Sequence, residues 1–165
     1  MPRLRNYVIG VLLAFFVGGG IIYALTSNVK APALTLTTLT GEKINLAQLK
    51  GKVVLVNFWA TTCPACAHEM PALAQTYTAY KNKGFVMVAV AMPDDPPNYV
   101  LSYSQSHQLP FPVALDVMGE AMRAFGDVRA TPTSFLIGKD GIIVDQRIGE
   151  LDFKRLDTYL KKELG

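Results

Sequence analysis

Apolar and polar positions divide the chain into an uncharged N-terminal run and a longer region where strand-like and helix-like patterns alternate. No residue between Arg5 and Lys30 is charged, and Val8 to Leu25 is almost wholly apolar. Further on, Leu34-Thr35-Leu36-Thr37 alternates and Thr40-Gly41-Glu42-Lys43 reads as a turn, so residues 34–45 predict a β-hairpin. Val53 to Trp59 is a continuous β-favouring run, the pattern of a strand buried on both faces. Helix-compatible sequence follows from Pro64 to about Lys81, closed by Lys83-Gly84, with Pro71 inside it expected to kink the helix. Phe85 to Met92 predicts a second buried strand, and residues 97–108 and 118–125 two weaker helices. Thr133–Ile137 and Ile142–Arg147 flank Gly138-Lys139-Asp140-Gly141, a hairpin turn. The last helix spans Asp152 to Leu164, with Phe153, Leu156, Leu160 and Leu164 on one face. The order βαβ, then α, then ββα predicts an α/β domain: a mixed sheet with helices on both sides.

The N-terminal run is longer than the roughly 7–15 apolar residues of a signal peptide and close to the ~20 that span a bilayer as a helix. Its best cleavage candidate, Val29-Lys30-Ala31, is followed by Pro32, which suits a scissile bond poorly. An uncleaved transmembrane anchor is therefore favoured over a cleaved signal. With Arg3 and Arg5 on the cytoplasmic side, either reading places the remainder outside the cytoplasm. The division is an anchor or signal segment at 1–30 and one domain at 31–165. The formal charge of +3 carries little information, because without Arg3 and Arg5 there are 14 basic against 13 acidic residues. No basic block remains to support nucleic-acid binding.

The two cysteines of the chain stand three apart, in Asn57-Phe58-Trp59-Ala60-Thr61-Thr62-Cys63-Pro64-Ala65-Cys66. A bridge this short adds little stability, so the pair suggests reactivity. A strand ends, a loop follows, and a helix begins at the first cysteine, which is a redox arrangement. Cys63 at a helix start is favoured as thiolate by free amides and the helix dipole. Cys66, one turn on, is placed to resolve a mixed disulfide, and Pro64 pre-sets the first turn. Zinc would need four ligands, and His68 and His107 are the only histidines. Haem attachment would need His where Ala67 stands. A peroxidatic cysteine would have Thr three before it and Pro seven before it, where this chain has Ala60 and Val56. Copper(I) handling by the two thiolates remains an alternative, with Met70 as the one nearby further soft ligand.

These segments together resemble the membrane-anchored thioredoxin-like reductases of the TlpA and ResA kind. The match runs through Gly51 to Thr61, Cys63-Pro64-Ala65-Cys66 with Glu69 and Pro71, Thr131-Pro132-Thr133 and Gly138-Lys139-Asp140-Gly141. Thr62 departs from it, since relatives commonly carry Trp there. The resemblance implies a thioredoxin-like fold with an N-terminal β-hairpin and a central insertion, preceded by one transmembrane helix. It also implies Cys63–Cys66 as a redox disulfide without a cofactor, protein disulfides as substrates, and apocytochrome c as the commonest client. The electron donor would be a membrane thiol transporter of the DsbD or CcdA kind, and the site would face the periplasm from the inner membrane. Reduction is the expected direction, because no histidine precedes Cys66 as it often does in strongly oxidising relatives. Pro132 is expected to be cis, with the Thr131 backbone pairing with substrate. Trp59 is expected as a core aromatic that also walls the site, and Thr62 and Pro64 as part of the substrate-facing surface. Thioredoxins carry a buried Asp where this chain has Asn57, which cannot titrate. Glu69, the sole acid between Glu42 and Asp94, is therefore the expected proton acceptor for Cys66.

Overall fold

The computed structural model describes residues 29–165. A small antiparallel hairpin, β1 (Thr35–Thr37) and β2 (Lys43–Asn45), precedes the main sheet. Then follow β3 (Val53–Trp59), α1 (Pro64–Tyr80), β4 (Phe85–Ala91), α2 (Pro97–Ser106), β5 (Val113–Leu115) and α3 (Glu120–Ala124). The chain closes with β6 (Thr133–Ile137), β7 (Ile143–Ile148) and α4 (Phe153–Leu164). The main sheet has the order β5-β4-β3-β6-β7. β3, β4 and β5 are parallel, while β6 is antiparallel to both β3 and β7.

The expected elements form, with one addition. β5 has three residues and lies between Pro112 and Asp116, too short for a period to show. It exists because it pairs with β4, while Leu39 N–H donates to its Val113 carbonyl at 2.8 Å from the hairpin side. α1 runs unbroken through Pro71.

β3 and β4 are apolar except for Asn57 because both faces of each are covered. On one face Leu55 and Trp59 pack with Cys66, Met70 and Leu73 of α1, Val100 of α2, and Leu156 and Leu160 of α4. On the other, Val54, Val56 and Phe58 pack with Leu36 and Ile44 of the hairpin and with Ala121 and Phe125 around α3. Alternation along β3 therefore aims Asn57, between Leu55 and Trp59, at the α1 side. The expected N-terminal anchor lies outside the described residues except for its last two. Among the described residues no helix is long and apolar enough to cross a membrane.

Candidate active site

β3 delivers the chain to the sheet end where a tight turn over Ala60–Thr62 leads into α1. Asp95, in the loop after β4, fixes that turn: its carboxylate accepts from both Thr61 N–H and Thr61 Oγ1, each at 2.6 Å. Cys63 caps α1 in extended backbone, with Pro64 in the first turn. Its Sγ accepts the Cys66 N–H at 3.1 Å, which is the local form of the anion preference of a helix start. The two cysteines are joined as a disulfide with Cα atoms 5.2 Å apart. Cys63 is half-buried, whereas Cys66 has no exposed surface. Of the two cysteines, Cys63 is therefore the one that offers surface to a partner.

Glu69, one turn beyond Cys66, is buried at 2% exposure. Its Oε1 accepts from Asn57 Nδ2 at 2.8 Å and its Oε2 from Leu151 N–H at 3.2 Å. Burial pushes its pKa above the ordinary 4.5; the Leu151 and Asn57 hydrogen bonds oppose this, and the charge of Glu150 adds to it. Asn57 Nδ2 also donates to Ser134 Oγ on β6 at 2.9 Å.

The Thr131–Pro132 peptide is cis. Thr133 pairs with Phe58, so this peptide lies beyond the C-terminal end of β3, where the turn to Cys63 departs. Gly149 N–H donates to the Pro132 carbonyl at 2.8 Å, from a backbone with φ +92° that favours glycine. The next residues reach α1: Glu150 contacts His68 Nδ1 at 3.2 Å and Leu151 holds Glu69. The connection from β7 to α4 thus ties the proline loop to the helix that carries the cysteines.

Thr62 and Pro64 are exposed beside Cys63, Thr131 is half-buried and Pro132 is buried. Trp59 is the core aromatic expected: it has no exposed surface, packs against Tyr103 at 5.1 Å between ring centroids, and shares a buried cluster with Cys66 against which Cys63 packs. His68 and His107 are both exposed on the surface. Met70 is buried in the core, and no group of three or more His, Cys, Asp or Glu is placed to hold a metal among the described residues. Ser134, Leu151, Glu150 and Asp95 were not singled out by the sequence. Each reaches the site from a distant segment, and only the pairing of β3 with β6 could have pointed to Ser134.

A helix-capping dithiol on a sheet of this topology also matches known proteins, and the Redoxin family model covers residues 26–160. The chain belongs to the Redoxin family. It is a thioredoxin-like thiol–disulfide oxidoreductase, with Cys63–Cys66 as its redox-active centre. Thiol-disulfide oxidoreductase ResA of Bacillus anthracis is 43% identical over 81% of this chain and 76% of its own length. Thioredoxin-like protein YneN of Bacillus subtilis is 32% identical over 95% of this chain and 98% of its own. A thioredoxin-family thiol:disulfide interchange protein from Chlorobium tepidum superposes with a TM-score of 0.75 at 31% identity, covering 84% of this chain and 97% of that one.

Proposed function

We propose that this oxidoreductase works as a reductase outside the cytoplasm, with apocytochrome c before haem attachment as its client. Residues 1–30 hold it in the inner membrane, and residues 31–165 form the catalytic domain on the periplasmic side. A membrane thiol transporter of the DsbD or CcdA kind returns the Cys63–Cys66 disulfide to the dithiol. The observation that carries the reading is the asymmetry of the two sulfurs: Cys63 caps a helix and is partly exposed, while Cys66 is sealed beneath it.

In the reducing direction the Cys63 thiolate attacks one sulfur of the client disulfide, and the other client sulfur leaves as a thiolate. Cys66 then gives its proton to the Glu69 carboxylate and attacks Cys63 Sγ. The Cys63–client bond breaks, the Cys63–Cys66 bond forms, and the second client sulfur leaves. Two electrons have passed to the client, whose thiolates take up protons. A buried carboxylate with a raised pKa suits this proton transfer. Exposed Thr62 and Pro64 and the backbone of Thr131 form the surface where the client strand lies, a short case of strand addition.

Full-length Cys66→Ala protein expressed in cells should accumulate mixed disulfides through Cys63, apocytochrome c among them. Cys63→Ser should accumulate none and should lose disulfide reduction. Equal trapping by both single variants would refute the order of attack, and trapping without any cytochrome would refute the client.

A further inference from the structure

Asn57 and Ser134 face each other across the β3–β6 ladder, and both are buried, at 0% and 1% exposure. The Asn57 amide nitrogen spends one hydrogen on Glu69 Oε1 and the other on Ser134 Oγ. Its amide oxygen, also buried, has no partner among the described residues. Among the described residues the amide is thus oriented from its nitrogen side, and Ser134 is the neighbour that holds it from outside the Glu69 contact. Without that hydroxyl the amide could turn its oxygen toward Glu69, replacing a donor with a lone pair.

We propose that Ser134 is a positioning residue for thiol–disulfide exchange: by accepting one Asn57 N–H it directs the other onto Glu69, and so keeps that carboxylate in place to receive the Cys66 proton. This rests on the base role of Glu69 given under Proposed function. The charged and titratable groups around the network are Cys66 and His68 on α1, Asp145 and Arg147 on β7, Glu150 in the β7–α4 connection, and Asp152, Lys154, Arg155, Tyr159 and Lys162 at and along α4; Asp95 lies across the Thr61 turn. Of these, Glu150 acts on Glu69 by its charge, which a substitution at Ser134 does not remove.

Loss of the Ser134 acceptor should weaken the hydrogen bond to ionised Glu69 and favour its protonated form. The test is a pH titration of the Glu69 side-chain carboxyl by NMR in the full chain, with the pH profile of the resolving step measured alongside. In Ser134→Ala the Glu69 midpoint and the acid limb should both move to higher pH. Resolution on the acid side should fall roughly 2–10-fold, the worth of one net hydrogen bond, and recover at alkaline pH. The shape-matched pair Ser134→Thr and Ser134→Val decides the matter where alanine disturbs folding: threonine should restore the wild-type midpoint and valine should not. A midpoint and limb unmoved in both Ser134→Ala and Ser134→Val would overturn the inference. An acid limb unchanged in Glu69→Gln would instead remove the base role beneath it. A limb lost in Glu69→Gln yet unmoved in the Ser134 variants would overturn the Ser134 role alone.

Discussion

Glu69 accepts two N–H donors, yet burial still outweighs them and its pKa lies above 4.5. That has a consequence for stability as well as for exchange. Between pH 4.5 and the raised folded value, the folded chain keeps a proton that the unfolded chain has released. The folded state binds more protons in that window, so stability falls as pH rises through it. Glu69→Gln carries no titrating group there and should lack the decline. Melting temperatures of oxidised wild type and Glu69→Gln, taken from about pH 4 to 8, should therefore diverge as the pH increases, with the variant flatter. Parallel curves would mean that Glu69 titrates as an ordinary carboxylate. Asp157 shifts the opposite way: hydrogen bonds from Lys161 and Tyr80 hold it below the ordinary 3.8, so its contribution is lost only at more acidic pH and does not confuse the comparison.

At the scale of elements, the turn between β3 and α1 is held by a residue from another crossover. Asp95 makes two short bonds to Thr61, and it is itself buried. Asp95→Ala should lower stability by about 1.5–3 kcal/mol, the usual range for hydrogen bonds to a charged group, readable as a shift in the denaturation midpoint at constant slope. A shift below about 0.5 kcal/mol would mean that Thr61 finds other partners. This contact also shows where sequence reading stops. β3 and β4 were legible because burial on both faces leaves runs that are apolar but for Asn57, and α4 because Leu156 and Leu160 repeat at helical spacing. The dithiol and Glu69 were legible because they lie on one short helix segment with local spacing. Asp95, Leu151 and Ser134 were not, since each meets the site 34 to 82 residues away in the chain through contacts that only the assembled sheet creates. Trp59 was legible as a core aromatic at the end of β3, since alternation from Leu55 turns it to the helix-covered face, where it meets Tyr103.

At the scale of the whole molecule, the chain enters the domain at the pole away from the disulfide. Ala31 N–H donates to the Gly141 carbonyl at 2.9 Å, and Ile143 N–H donates to the Val29 carbonyl at 2.8 Å. These residues flank the β6–β7 turn, which also meets the start of β3 through Gly51 N–H and the Lys139 carbonyl at 2.8 Å. The cysteines follow the other end of β3, seven residues on, which is about 20 Å along an extended strand. A domain tethered through Val29–Ala31 therefore carries its dithiol on the side facing away from its attachment. That arrangement suits a client that arrives in solution, and it sets a testable expectation for the anchor proposed for residues 1–30. Full-length protein should sediment with membranes, and after reduction Cys63 should react with a thiol reagent that cannot cross the bilayer, supplied from the periplasmic side. Proteolysis close to Val29 should release a soluble fragment that still reduces disulfides, because residues from Ala31 onward form both described core clusters among themselves. Mature protein that begins near Ala31 and is soluble without proteolysis would show a cleaved signal in place of an anchor. Labelling from the cytoplasmic side alone would reverse the orientation.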